Sequence, residues 1–198
     1  MVSAFTHAAA AVAIGTLVPR ERLPRRAWLV GAVAAVLPDL DYFLHRSGFW
    51  GEHPYGHRGF THSLTFAAAL GGASTALAAW RRWPGGRWWW FAYLTVCTAS
   101  HGVLDAFTNG GEGIAFLWPF TNARWHFPWT PIEVAPLSID GFFTARGAEV
   151  FASELLWVWL PAAALVLAGA VARRHRKTKL SAVDSSPTND TVGAIDRP

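Results

Sequence analysis

The feature that most constrains this chain is residues 88–107, a run of about twenty mostly apolar residues. A helix of that length is long enough to cross the hydrocarbon core of a bilayer. Near its end the run carries His101 and Asp105, whose i, i+4 spacing places both side chains on one helix face. Ionisable groups are costly inside a membrane, which favours a functional role. The pair predicts either two metal ligands or a hydrogen-bonded pair that connects two helices.

The composition indicates an integral membrane protein in one compact unit. Of the 198 residues, 52% are hydrophobic and 15% are charged, and the charges lie between long uncharged stretches. The net charge of +4 does not indicate nucleic-acid binding, because most basic residues flank apolar segments, where they act as orientation signals. Cys97 is the single cysteine, which excludes an intramolecular disulfide. We expect no cleavable signal peptide, since no positive region precedes the first apolar run.

We predict an all-α integral membrane protein with about five transmembrane helices. The candidate spans are residues 4–18, 27–44, 64–80, 88–107 and 155–172. The first two are short, and the second is interrupted by Pro38 and two aspartates. We expect a multi-pass membrane domain over residues 1–175 and a polar, disordered cytoplasmic tail over residues 176–198.

Basic clusters predict the orientation of these spans. Arginines and lysines are concentrated in residues 20–26, 81–87 and 173–179, after the first, third and fifth candidate spans. The positive-inside rule places these segments in the cytoplasm, with the N-terminus outside and the C-terminus inside. This topology brings candidate ligands from several segments to the outer face of the membrane. They are His7, Asp39, Asp41, His57, His62, His101 and Asp105.

Asp39 and Asp41 follow Pro38, which favours the end of one helix and the start of another. In that position the two carboxylates either cap the new helix or bind a cation. Two carboxylates this close repel each other unless a cation or a proton lies between them. A metal ion flanked by both carboxylates would remove that repulsion.

Residues 57–63 are dense in polar side chains immediately before an apolar run. His57 and His62 do not share a helix face, but a loop opened by Gly59 would bring them together. Thr61 is the predicted N-cap of the third span. Arg58 either binds a phosphate or carboxylate group or is a solvated loop arginine. His7 is included among the candidate ligands only because the predicted topology places it on the outer side of the membrane, at a depth similar to that of the other ligands.

Residues 108–149 form a long aromatic segment whose prolines argue against a continuous helix. We expect this segment to lie in the outer interface beside the predicted site. It would form a lid, a lipid-facing wall or an ordinary aromatic belt.

Four short motifs occur in a fixed order along the chain. They are Pro38-Asp39-Leu40-Asp41, Arg58-Gly59-Phe60-Thr61-His62-Ser63, His101-Gly102-Val103-Leu104-Asp105-Ala106-Phe107-Thr108 and Leu117-Trp118-Pro119-Phe120. The ordered set, over roughly residues 1–170, resembles the YdjM-like family of bacterial inner-membrane proteins, described as membrane-bound metal-dependent hydrolases. The resemblance implies a bacterial inner-membrane location and a metal site. The ligands that it implies are His7, Asp39, Asp41, His62, His101 and Asp105.

The leading hypothesis is therefore a hydrolase that uses one or two divalent ions, for which we expect zinc. A metal-activated water would attack a phosphoester or ester, lipid-linked in our interpretation, at the outer face of the membrane. Asp39 or Asp41 would be the general base, and Arg58 would hold an anionic head group. The bilayer and a lipid or phosphoester substrate are the expected partners. Two alternatives stay open: transport of a metal ion or proton, and a non-catalytic protein with a structural metal.

Overall fold

The computed structural model describes residues 1–48, 53–136, 138 and 140–184, and within these ranges the regular structure is helical. Two isolated β-bridges, Thr108 with Ile132 and Ile114 with Trp125, are the extended pairings among these residues. The helices are α1 Ala4–Leu17, α2 Arg26–Val36, α3 Asp41–Arg46, α4 Leu64–Trp80, α5 Arg87–Ala106, α6 Ala145–Glu154 and α7 Leu160–Asp184. The all-α prediction is confirmed, and each candidate span contains a helix at the predicted place.

The second candidate span breaks where the sequence predicts a break. A 3₁₀ turn over Leu37–Leu40 follows α2, with Pro38 in its first turn, and α3 then begins at Asp41. Proline fixes its own φ near the helical value and lacks a backbone N–H, so it fits the start of a helical turn but not its interior. This break turns Asp39 and Asp41 toward the interior of the protein.

Helices α1, α2, α4 and α5 pack around a core of small and aromatic residues. Tyr93 of α5 donates its hydroxyl proton to the carbonyl oxygen of Ala11 in α1 over 3.0 Å. A Cβ atom on Gly31 of α2 would lie 2.3 Å from the same hydroxyl oxygen, so a glycine is required at this crossing. Small residues that allow close helix approach are typical of helix packing in membranes.

Helices α6 and α7 are joined by a π-helical turn, Leu155–Trp159. Together they form Ala145–Arg174, which in the described part of the chain is the one helical unit long and apolar enough by length and composition to cross a membrane. Most of this unit is exposed, including Leu160 and Leu167. Helices α1 and α4 are apolar but shorter.

Two boundaries differ from the sequence predictions. Helix α7 continues to Asp184, so residues 176–184 are helical rather than the start of a disordered tail, because arginine and lysine are good helix formers. The rest of the predicted tail, residues 185–198, lies outside the described residues. The N-cap of α4 is Ser63 and not Thr61, since the Ser63 hydroxyl accepts the Phe66 N–H over 3.0 Å.

Candidate metal centre

Four predicted ligands from three segments meet in the interior of the protein. Asp39 comes from the 3₁₀ turn after α2, and His62 comes from the turn Phe60–His62 before α4. His101 and Asp105 come from the last turns of α5, where their i, i+4 spacing puts them side by side. One ligand atom from each residue lies within 4.8 Å of all the others. We call these four residues the inner cluster.

The distances in the inner cluster suit a small cation. The Nε2 atoms of His62 and His101 are 3.0 Å apart, and the Asp39 Oδ1 atom is 3.2 Å from His101 Nε2. The Asp105 Oδ2 atom is 3.6 Å from His62 Nε2 and 3.8 Å from His101 Nε2. A tetrahedral ion with bonds of about 2 Å separates its ligands by about 3.3 Å, close to these values.

Hydrogen bonds on the far side of each imidazole fix which nitrogen carries the proton. His101 Nδ1 lies 2.7 Å from the carbonyl oxygen of Ala35, which can only accept, so Nδ1 is the donor. His62 Nδ1 lies 3.1 Å from Asp41 Oδ2, and Thr61 donates its hydroxyl proton to the same carboxylate over 2.6 Å. Both rings therefore point Nε2 into the inner cluster, and once His62 gives up its extra proton each Nε2 atom offers a lone pair there, as in metal-bound histidines.

The inner cluster also contains polar atoms that the described protein leaves without a hydrogen bond. Both carboxylate oxygens of Asp39 and the Oδ2 atom of Asp105 are buried and have no hydrogen-bond partner there. Buried carboxylate oxygens without partners are costly, so a cation or a proton must offset them. Although burial lowers the pKa of His62, the nearby carboxylates of Asp105 and Asp41 raise that pKa to about 9. A proton then occupies the cluster in the absence of metal, and a bound cation would replace it.

A second group surrounds Asp41 and shares His62 with the inner cluster. His57 Nδ1 lies 2.7 Å from Asp41 Oδ1, while Asp41 Oδ2 accepts the Thr61 hydroxyl and the backbone N–H of Arg58. The loop that contains Gly59 is closed so tightly that a Cβ atom on Gly59 would lie 2.2 Å from the Pro54 carbonyl oxygen. This closure therefore requires a glycine at position 59. Since both oxygens of Asp41 already have partners, its geometry suits orientation of His62 better than direct metal binding.

His7 lies beside the inner cluster rather than within it. Its ring is fully buried and stacks on the His101 ring with 3.7 Å between the centroids. Its Nε2 atom is 3.4 Å from Asp105 Oδ1, yet neither ring nitrogen makes a hydrogen bond within the described structure. The Asp105 carboxylate thus faces the inner cluster through one oxygen and His7 through the other.

Arg58 is buried, with 1% of its side chain exposed, so the solvated loop arginine is the wrong alternative. Its guanidinium donates to the Gly110 carbonyl oxygen over 2.6 Å and to the Thr108 hydroxyl over 2.9 Å. Its Nε atom lies 3.7 Å from Asp105 Oδ2. A positive charge beside Asp105 favours the ionised carboxylate that a metal ion requires.

Glu154 and the first residues of the chain support this centre, and neither was among the site residues predicted from the sequence. The Val2 N–H donates to Asp105 Oδ1 over 2.6 Å. Glu154 is fully buried and accepts the Ser3 N–H over 2.6 Å, the Ser3 hydroxyl over 2.5 Å and the Thr6 hydroxyl over 2.7 Å. The available signal was a carboxylate directly before an apolar run of membrane-spanning length.

The aromatic segment after α5 packs against the ends of the helices. The rings of Phe107 and Phe127 stack at 4.1 Å, and Trp129 contacts Trp157 of the π-helical turn at 4.7 Å, edge to face. Phe120 remains 86% exposed. Such exposed rings beside packed ones are typical of residues at a membrane interface.

The helical bundle and the buried His/Asp groups define an all-helical protein with a candidate metal centre in its interior. The family model for the YdjM inner membrane protein matches residues 1–176, and the chain belongs to this family. The chain is 40% identical over 164 residues to the inner membrane protein YbcI of Escherichia coli (strain K12), which covers 81% of this chain and 92% of YbcI. No solved structure matches the chain. The resemblance seen in the motifs is thereby confirmed, and both comparisons support a bacterial inner-membrane location.

Proposed function

We propose that this protein is a membrane-bound, metal-dependent hydrolase whose ion is held by the inner cluster. The observation that carries the proposal is the pair of Nε2 atoms of His62 and His101, 3.0 Å apart, beside carboxylate oxygens that have no hydrogen bond. A set of imidazole nitrogens and carboxylate oxygens suits zinc. We therefore propose zinc as the ion.

The residues around the proposed ion would have different roles in hydrolysis. When bound, the metal supplies an activated water and polarises the phosphoryl or carbonyl oxygen of the substrate. Ala35 and Asp41 hold the rings of His101 and His62 in the metal-binding tautomer. Asp39 is the better general base, because its second oxygen has no partner, whereas Asp41 already binds Thr61 and His57. For Arg58 we propose that its charge holds Asp105 in place.

We propose a topology of about five spans, with the metal centre toward the outer face. The packing of the three basic segments at one end of the bundle supports it. The Gly86 N–H donates to the Arg22 carbonyl oxygen, and the Arg26 guanidinium lies 5.4 Å from the centroid of the Trp83 ring. Arg173 donates to the Thr16 carbonyl oxygen. His101 and Asp105 lie at the opposite end of α5 from Arg87.

Metal content tests the proposed centre directly. We expect near-stoichiometric zinc in detergent-purified protein and its loss in the double variant His101→Ala/Asp105→Ala, measured by mass spectrometry. The matched control His126→Ala/Glu149→Ala removes an exposed histidine and an exposed acid and should keep the ion. Absence of metal from the wild type after reconstitution with excess zinc would contradict the proposal.

A structural metal is the second candidate, and the number of protein ligands favours it. Four protein ligands fill a tetrahedral zinc site, whereas catalytic zinc keeps one position for water. X-ray absorption spectroscopy of the zinc-loaded protein separates the two functions. Three or fewer protein ligands plus a water oxygen support a hydrolase, and four protein ligands with no water support a structural ion.

Transport is less favoured, since α5 beyond the cluster is surrounded by the apolar core around Leu94 and Cys97.

A further inference from the structure

A cavity of about 190 Å³ lies next to the inner cluster. Its walls come from the first residues of the chain, from the segment around Asp39 and from the segment that includes Ala135 and Phe142. Val2, Ala4 and Tyr42 are also part of the lining, and the surface of the lining is mainly apolar. Small-molecule sites have this character, with apolar walls and few polar groups that fix the orientation of the ligand.

Asp39 connects this cavity to the proposed metal centre. Its side chain is 9% exposed, lines the cavity and lies 3.2 Å from His101 Nε2. Neither of its oxygens makes a hydrogen bond in the described part of the protein. Asp39 is the acidic side chain of the lining and adjoins the metal ligands, while Ser3, Tyr42 and Ser138 also contribute to the wall. A molecule in the cavity therefore meets the carboxylate at the wall nearest the proposed metal centre.

The surroundings of the cavity suit hydrocarbon rather than water. Phe142 contacts Phe5 of α1 at 6.4 Å between ring centroids, and Phe5 is itself 49% exposed. Leu40 and Phe43, which are sequence neighbours of the lining residues Asp39 and Tyr42, are 53% and 67% exposed. In a protein of the inner membrane, exposed apolar side chains of this size suit contact with lipid.

We propose that the cavity holds the hydrocarbon chain of the substrate, which makes the substrate a membrane amphiphile whose hydrolysed bond lies at its polar end. This inference rests on the proposed hydrolase and deepens it. The polar end lies against Asp39 and the metal centre, and the chain occupies the apolar part toward Phe142. In the reaction the oxygen of water bonds to the phosphorus or carbonyl carbon, the bond to the leaving oxygen breaks, and the leaving oxygen takes up a proton.

Binding of two alkyl phosphates to zinc-loaded, detergent-purified protein tests the cavity. Ethyl phosphate and hexyl phosphate share a head group and differ in four methylene groups, each worth up to about fourfold in affinity when buried. We expect hexyl phosphate to bind wild type at least about tenfold more tightly by isothermal titration calorimetry. Ala4→Phe fills the cavity and should reduce the ratio to below about threefold, mainly through weaker binding of hexyl phosphate, with zinc content unchanged.

Two further variants keep the test decisive. Ala148→Phe adds the same ring at an exposed site on α6 and should keep the wild-type ratio. Phe142→Ala enlarges the cavity and should shift the preference toward octyl phosphate, which covers the case in which Ala4→Phe does not fold. Zinc-loaded wild type with equal affinity for the two phosphates would overturn this inference and leave the hydrolase proposal standing. A wild type without zinc would overturn both.

Discussion

At the scale of single residues, the candidate metal centre depends on groups that lie outside the inner cluster. Asp41 illustrates this, because it bonds His62 through one oxygen and His57 through the other. If His62 rotated or changed tautomer, its Nε2 lone pair would leave the inner cluster. We therefore expect substitutions of such outer groups to be tolerated as poorly as substitutions of the ligands themselves.

Replacing Asp41 with asparagine should weaken metal binding without unfolding the protein. Asp41→Asn keeps the shape but removes the negative charge that favours the Nδ1–H tautomer of His62, and we expect zinc affinity to fall about 10–100-fold. Competition with a zinc chelator measures the change. Asp140→Asn, an exposed aspartate, is the control and should bind zinc as wild type does. Equal affinities in both variants would show that Asp41 does not orient His62.

At the scale of elements, α1 is held by a side chain from another helix. Ser3, the residue before α1, makes no side-chain cap of its own, and the donors at this helix start go to Glu154 at the end of α6. Trp159 adds a hydrogen bond from its ring nitrogen to the Thr6 hydroxyl over 2.8 Å. The π-helical turn that follows Glu154 therefore lies where the last helices connect to the first.

Removal of Glu154 should destabilise the protein. Glu154→Ala leaves the Ser3 N–H and two hydroxyl groups without their acceptor, at a cost of about 2–4 kcal/mol in the free energy of unfolding. Glu154→Gln keeps one acceptor oxygen and should cost less. Denaturation in mixed detergent micelles measures both variants. Glu149→Ala on the same helix, 62% exposed, should change the free energy by less than about 0.5 kcal/mol. A Glu154→Ala protein as stable as that control would refute the capping role.

How far the sequence predicts each element depends on the distance over which its residues interact. The pairing of His101 with Asp105 follows from helical spacing, and the break at Pro38 follows from proline stereochemistry, so both were predictable. The approach of His62 to Asp41 needed a loop closure for which Gly59 was a usable signal. The Ser3–Glu154 contact joins residues 151 positions apart, and neither residue carries a local pattern that indicates its partner. Ser63, by contrast, caps α4 through a local bond to Phe66, and a serine directly before an apolar run was a usable signal for it where Thr61 was expected.

At the scale of the whole molecule, the basic segments and the metal centre lie at opposite ends of the bundle. Arg22 and Gly86 meet at one end, while Asp105 and Val2 meet at the other. In the proposed topology, the positive-inside rule places the end with the basic segments in the cytoplasm. The proposed number of spans and their orientation together predict which side of the membrane each loop faces, and this can be tested.

Cysteine labelling tests this arrangement in intact cells. In a Cys97→Ser background, we expect Glu112→Cys, in the aromatic segment, to react with a membrane-impermeant maleimide added outside the inner membrane. Glu21→Cys, in the first basic segment, should react only after permeabilisation; both positions are exposed. Wild-type Cys97 is fully buried and serves as the unlabelled control. The reverse pattern would invert the topology and move the metal centre to the cytoplasmic side.

The anchoring of Ser3 by Glu154 has a consequence for biogenesis. All of the candidate metal ligands are synthesised before residue 106, but the segment that holds Asp105 through Val2 is fixed only when α6 has been made. A nascent chain whose ligand residues have left the ribosome still lacks Glu154, which holds its first residues in place. If the inner cluster binds a metal ion, we therefore expect the centre to become rigid only after the last helices have been made, and metal loading to follow completion of the chain.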